Sequence, residues 1–483
     1  MGHIFRSLLT FCDLYGGGTS TMRTALSSAQ WALFFLTGGL VAPIVVAAAF
    51  HLSDAETAQL IQRTLMIIGI STLLQSLFGH RLPILEGPAG AWWGVFILLA
   101  GGLTAGESSA LLLRQMEAGL LLVGLFMIAL SAFNVIRYVK KLFTPVVTGT
   151  YLLLLVFQFS SPIVKGILGV GYRGSVIDPA VAALSLAVLT VTLLLGRSRI
   201  SWLRHYAVLI GIALGCVLFQ AFGLTRWPEA PANGLFERPA LFAWGAPAWD
   251  TGIALTSLVI ALPLLINLIA AITIMEKAIG AKPAGHYAKA GFVMGITQLL
   301  SGLFAAVGTV SNSHSAGFVA STGMTRRLPV CIGCLILIAA GLLPVVAALL
   351  STIPVPVALA VIFGSFSHLL SAGLKELGAV LNDEKKLSVV ALSLFAGVGS
   401  LFIPAASLAA LPDVLKPLLS NGLIVGVLAA ILIEQGWRLA DRYAERQKRK
   451  QTERLMAQWA GIGCTSEGCS IPQAKENDHV ANG

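Results

Sequence analysis

GTVSNSHSAGFVASTG, residues 308–323, sets five consecutive polar side chains (Ser311, Asn312, Ser313, His314 and Ser315) inside an otherwise apolar run. GITQLLSGLFAAVG lies before them and AGFVA after them, both suited to a membrane interior. Hydrocarbon cannot solvate hydroxyls, an amide and an imidazole. The run is therefore costly unless protein buries it or it lines a wet cavity. In a membrane protein it marks a place where something polar binds or passes.

The whole chain agrees with that setting. Of 483 residues, 56% are hydrophobic and 11% charged, with mean hydropathy +0.85. A soluble globular chain carries about 25% charged residues, so a polytopic membrane protein is expected and a soluble enzyme is excluded. The net charge of +10 does not imply nucleic acid, because the basic residues sit in short loops and in the tail without interleaved aromatics. Cys331 and Cys334 form a CxxC at the start of an apolar helix, with no second ligand pair nearby, and Cys464 and Cys469 lie in a polar tail. No metal, no cofactor and no catalytic constellation is expected; a membrane redox protein built on the CxxC is the reading from another class. No signal peptide is expected, since the first long apolar run starts near Gln30 and is too long for one.

A helix needs about 20 apolar residues to cross a bilayer. Such spans are expected at 29–50, 60–78, 116–134, 145–164, 178–196, 206–223, 253–275, 287–307, 328–350, 354–372, 387–404 and 418–436. Two further spans, 83–100 and 308–325, are broken by polar, Gly or Pro residues, making fourteen. With the N-terminus inside, 25 Lys/Arg fall in cytoplasmic segments and 7 outside, as the positive-inside rule requires. Both termini are thus expected in the cytoplasm, with residues 1–28 before the first span and a basic, partly disordered tail at 438–483. The tail reads as a solvated helix end or as a contact for lipid headgroups.

The polar segment 224–252 divides the spans into two sets of seven, 29–223 and 253–437, and the broken spans come third in each. Glu86-Gly87-Pro88 reads as a helix start within the membrane. Asn312 and Ser313 are N-cap types before the run from Ala316. Each break would begin a half-helix whose free N–H groups and positive dipole end face into the protein. Matched interrupted spans point to a secondary transporter's binding site, and an odd number of spans per half makes the repeats inverted.

These residues carry a resemblance. GHRLPILEGPAGAWWG (79–94), KLFTPVVTG (141–149), STGMTRR (321–327) and LKPLLSNGLIVGVLAAIL (415–432) resemble the nucleobase–ascorbate transporter family, in its bacterial purine permease branch, over roughly residues 25–437. The resemblance implies an all-α fold of fourteen spans in two inverted seven-span repeats. It implies a core domain of spans 1–4 and 8–11, a gate domain of spans 5–7 and 12–14, and short strands before the half-helices of spans 3 and 10. It implies substrate between those half-helices, an inner-membrane location and a homodimer through the gate domains. The family signature is met by Gly317, Thr322 and Gly323, but His314 and Ser315 stand where Gln, Glu or Pro and then Asn are usual. Gln30-Trp31 replaces a usual Gln-His, and Asn267 falls near the usual substrate-binding Glu of the eighth span.

In the family site acidic or amide groups read the edge of a planar base. Asn267 offers both a donor and an acceptor, and His314 can bind a base or carry a proton. Glu86 is the leading carboxylate at membrane depth, for substrate, for the coupling proton or for capping its half-helix. Gln30 and Ser313 are candidate polar contacts beside Ser315. Trp92 or Trp93 could stack on a base or simply pack. Gly87, Gly90 and Gly317 permit close backbone approach. The expected function is proton-coupled import of a nucleobase, with xanthine, guanine, hypoxanthine or urate first. Uracil, or a small anion drawn by the facing helix N-termini, is the alternative.

Overall fold

The computed structural model describes residues 21–101, 108–134, 144–200, 203–204, 206–225, 236–281, 285–378, 380, 382–403, 407, 411, 419 and 422–461. Residues 1–20, part of the segment between the halves (226–235), Cys464 and Cys469, and parts of the stretches 141–149 and 415–432 lie outside them.

The chain is mostly helical. In order it forms α1 (Thr21–Gly39), α2 (Val41–Ala49), α3 (Asp54–Leu77), β1 (Glu86–Pro88), α4 (Gly90–Gly101), α5 (Ser109–Ala132), α6 (Pro145–Ile167), α7 (Pro179–Gly196), α8 (Ala207–Ala221), α9 (Thr251–Ala278) and α10 (Tyr287–Leu303). Then come β2 (Thr309–Ser311), α11 (His314–Thr322), α12 (Arg327–Gly341), α13 (Pro344–Ser351), α14 (Val355–Gly378), α15 (Glu384–Leu401) and α16 (Gly422–Gly461). Among the described residues seven helices are long and apolar enough to cross a membrane, and eight with the bent pair α12–α13. The protein is a multi-pass helical membrane protein. The described residues from 432 to 461 form a separate compact unit, whose helix carries i,i+4 pairs such as Arg438–Glu434 at 2.8 Å.

Among the described residues the unbroken expected spans fall on helix, and two kinds of correction are needed. The segment 328–350 is not one straight helix: α12 and α13 are bent by 82° at the break. Pro344 is the cause. It has no N–H for the preceding turn, and it holds Leu343 in an extended conformation (φ −102°, ψ 107°). The first span is likewise divided at Leu40, three residues before Pro43. The second correction concerns Glu86-Gly87-Pro88. It is strand, not a helix start, and α4 begins at Gly90. Pro88 suits the end of a short strand, where its missing N–H is not needed, and the Ala89 N–H continues the ladder to Gly308 O at 2.8 Å.

β1 and β2 pair antiparallel in the register Glu86↔Ser311, Gly87↔Val310 and Pro88↔Thr309. Two strands alone would be marginal in water. Here helices cover them: α3 and α1 pack on β1, and α3, α9 and α10 on β2. All the side chains of β2 are buried.

Candidate functional site

The strand pair is the frame of the site, and its pleat sorts the polar side chains onto two faces. Glu86, Ser311 and Thr309 share one face, turned to α3. There Ser311 Oγ donates to Glu86 Oε1 at 2.5 Å, Glu86 N–H donates to Thr72 Oγ1 at 3.0 Å, and Thr309 Oγ1 donates to Ser71 Oγ at 3.2 Å. His80 Nε2 also meets Glu86 Oε1, at 3.3 Å. Glu86 is fully buried, and its Oε2 has no hydrogen-bond partner among the described residues.

The other face carries Gly87 and Asn312. A Cβ on Gly87 would lie 3.7 Å from Asn312 Nδ2 and 3.8 Å from the Gly38 carbonyl of α1. The turn into α11 is built here. Asn312 N–H donates to Leu85 O at 2.8 Å, and the Leu85 N–H donates to Ser315 Oγ at 2.9 Å. Ser313 is the N-cap by position but makes no side-chain cap bond. Asn312 caps instead: its Oδ1 accepts the His314 N–H at 3.0 Å and meets His314 Nδ1 at 2.6 Å. His314 and Gly317, one turn apart, are both exposed, and a Cβ on Gly317 would meet nothing within 4 Å. Gly323, at φ +70°, ends the half-helix in the left-handed conformation that glycine tolerates.

α9 packs against α11, β2 and α4 and brings Asn267, whose Nδ2 donates to the Tyr151 hydroxyl of α6 at 3.4 Å. α1 brings half-buried Gln30, whose Oε1 has no partner among the described residues. Beside it, Trp31 packs edge-on to Phe318 of α11 with centroids 4.8 Å apart, so an aromatic contact ties α1 to the half-helix. At the start of α4, a narrow cavity of about 10 Å³ is lined by Gly90, Gly94, Gln158, Phe159, Val259 and Pro263, among others. That is about the room of one water. Pro263 lies inside α9 and has no N–H to donate to the preceding turn. At the far end of α2, a vestibule of about 660 Å³ opens between Asp54, Thr57, Tyr172, Arg173, Leu224 and Ser351.

Asn267, His314 and Gly317 therefore lie on α9 and α11, which pack together, with Ser313 at the N-cap of α11 and Gly87 on β1, paired with β2. Ser315 works from behind as a buried brace. Trp92 is fully buried and donates from Nε1 to Gln298 Oε1 at 2.8 Å, while Trp93 packs on Phe159 at 4.5 Å. Sequence reading missed His80, Thr72, Gln298 and Tyr151. Arg63, one of the seven Lys/Arg that the charge count puts outside, is buried, donating to Ala305 O at 3.2 Å, and Glu117 of α5 is buried as well. Only His80 left a signal, six residues before Glu86 in GHRLPILEG.

Comparison with known proteins decides the family. The Permease family model (Xan_ur_permease), which is the nucleobase–ascorbate transporter family, matches residues 22–406. The chain belongs to this family. It is a permease and not an enzyme. It is 39% identical over 426 residues to "Putative purine permease YwdJ" of Bacillus subtilis, covering 86% of this chain and 96% of that one. It is 27% identical to "Uric acid permease PucJ" of the same organism, covering 86% and 92%. Among solved structures, the transmembrane domain of the cyanobacterial bicarbonate transporter BicA superposes with TM-score 0.56 at 15% identity, covering 86% of this chain and 98% of that one. At that identity the likeness shows a shared fold.

Proposed function

We propose that this permease is a secondary active transporter that imports a nucleobase, a purine such as xanthine, guanine, hypoxanthine or urate, together with a proton. The observation that carries the reading is the antiparallel pairing of β1 with β2, which sets the starts of α4 and α11 at opposite ends of one strand pair, in a family whose relatives are named as purine and uric acid permeases. The base lies between the half-helices, with Gln30, Asn267, Ser313 and His314 offering polar contacts and Gly87, Gly90 and Gly317 allowing backbone approach. An amide beside an imidazole can read adjacent C=O and N–H groups on a purine edge. Trp92, Ser315 and Glu86 hold the frame from behind.

A cavity that admits about one water cannot hold a purine, which supports a cycle in which spans 1–4 and 8–11 move against spans 5–7 and 12–14. The vestibule beyond α2 is on the face that the Lys/Arg distribution puts outside, and it is the entry. The full architecture is fourteen spans in two inverted repeats, 29–223 and 253–437. Both termini are cytoplasmic, the location is the inner membrane, and the gate domains form a homodimer.

Uptake of labelled xanthine, hypoxanthine, guanine, urate and uracil in cells without other permeases tests the reading. Import of a purine is expected, abolished by a protonophore and weakened about tenfold in affinity by His314→Ala, the loss of about one hydrogen bond to a charged or polar edge. Absence of uptake of every base, with the protein present in the membrane, refutes it. The fold shared with a bicarbonate transporter favours one competing reading, a small anion at the same helix ends; inhibition of purine binding by bicarbonate or sulfate would favour it.

A further inference from the structure

We propose that Glu86 carries the coupling proton on Oε2, on the α3 face of the strand pair, and that the Ser311 bond relays its protonation state to the Asn312–His314 turn on the opposite face. This rests on the transport reading above and assigns Glu86 a positioning role.

The hydrogen bonds define the protonation pattern. His80 Nδ1 accepts the Leu82 N–H at 3.0 Å, so the ring proton sits on Nε2 and donates to Glu86 Oε1. Ser311 donates to the same oxygen. Among the described residues Oε1 thus has two donors and Oε2 none, in a side chain with no exposed surface. A buried carboxylate needs donors on both oxygens. A carboxylic acid with its hydroxyl at Oε2 leaves Oε1 as a carbonyl-type acceptor of two bonds, which is the arrangement observed. The proton comes from bulk water, one O–H bond forms at Oε2, and nothing else is made or broken.

His80 is the ionisable side chain within hydrogen-bond reach of Glu86 among the described residues, with Arg81 next along the chain. Asp54, Glu56 and Arg63 of α3 lie at least two turns before Thr72. α1, α4 and β2 bring no ionisable group among their described side chains, Glu276 and Lys277 lie more than two turns beyond Asn267 on α9, and Tyr287 and Lys289 lie at the far end of α10 from β2. When the proton leaves, the bare Oε2 draws a donor, and the Ser311 hydroxyl can reach it only by leaving Oε1. Ser311 is followed directly by Asn312, whose N–H is fixed to Leu85 O and whose Oδ1 holds His314. Glu86 ionisation therefore shifts the turn that meets the base. By linkage, the base binds the protonated form more tightly.

The test uses the purified full-length protein in lipid nanodiscs, with two readouts: infrared difference spectra across pH, and xanthine affinity across the same range. The wild type is expected to show the carbonyl band of a neutral carboxylic acid that disappears as pH rises, and that Glu86→Gln lacks. Xanthine affinity should fall about tenfold per pH unit above the midpoint of that band. Glu86→Gln, whose amide oxygen can replace Oε1, should bind tightly at all pH values. Ser311→Ala should keep the titrating band but lose the matching change in affinity. Glu86→Gln with wild-type pH dependence of binding, or a wild-type spectrum with no band that Glu86→Gln removes, overturns the proposal. Ser311→Ala with wild-type pH dependence overturns the relay. A wild type that binds neither xanthine nor any other base defeats the transport reading instead, and the infrared band still decides where the proton sits.

Discussion

Replacing Gln298 by Leu removes one side chain that serves two distant parts of the core. Its Oε1 accepts from Trp92 Nε1 of α4 at 2.8 Å, and its Nε2 donates to the Thr309 carbonyl of β2 at 2.5 Å. Gln298, Trp92 and Thr309 are all fully buried, so no water replaces the lost partner. Each orphaned group costs about 1–3 kcal/mol, and two give about 2–6 kcal/mol. Pairs within membranes average less, about 0.6 kcal/mol and at most about 1.7, because the unfolded chain also finds partners. The expected loss is thus about 2 kcal/mol, the low end of the range. Trp92→Phe alone should cost less than that, since it removes the donor and leaves Gln298 its bond to Thr309. In Trp92→Phe/Gln298→Leu only the Thr309 carbonyl is orphaned, so the two losses should not add: the double mutant should be about 1 kcal/mol more stable than the sum predicts. Unfolding by dodecyl sulfate in mixed micelles measures all four proteins. Losses that add to within about 0.3 kcal/mol, or a Gln298→Leu protein as stable as wild type, would refute the bridge between α4 and β2.

Gly308→Ala should prevent a stable native protein from accumulating. A Cβ there would sit 2.4 Å from Trp92 Cδ1 and 2.7 Å from Gln298 Oε1, between groups already fixed by their own hydrogen bonds; yield and melting temperature in detergent check this, and Gly317→Ala, with open space around the new methyl, is the tolerated control. Asp383, the N-cap of α15, accepts from the Lys386 N–H at 3.2 Å and pairs with Lys386 Nζ at 2.9 Å, and these hydrogen bonds hold its carboxyl below the usual aspartate range. A depressed value means that the cap is fully present above the unfolded value, about 4, and lost as pH falls through the lower folded value. The protection factors of the Lys386 and Leu387 amides should therefore be high at neutral pH and fall in acid, and Asp383→Asn should abolish that acid-dependent loss of protection.

Polarity along the chain located the membrane breaks closely. The polar run 311–315 does sit at the start of a half-helix, and Glu86 does lie in its partner strand. Local chemistry was less well read where two conformations compete for the same residues. Pro88 is compatible with a helix start and with a strand end, and the pairing with Thr309 decides for the strand. Ser313 and Asn312 are both good caps, and Asn312 takes the role because its neighbour in space, Leu85, fixes its backbone. The bend at Pro344 was written in the sequence but hidden by the apolar run that surrounds it.

By itself the sequence determined that this chain lives in a membrane, where most of its helices run, and that two of its apolar stretches are interrupted. Those properties follow from the transfer of each residue between water and hydrocarbon, which depends on composition within a window of about 20 residues. Only the tertiary structure decided which polar groups face each other. Glu86 with Ser311, Trp92 with Gln298 and Asn267 with Tyr151 are each separated by more than a hundred positions in the chain. In a medium without water each buried donor must find an acceptor. Which one it finds is set by the packing of α3, α9 and α10 around two three-residue strands, and that packing has no local signature.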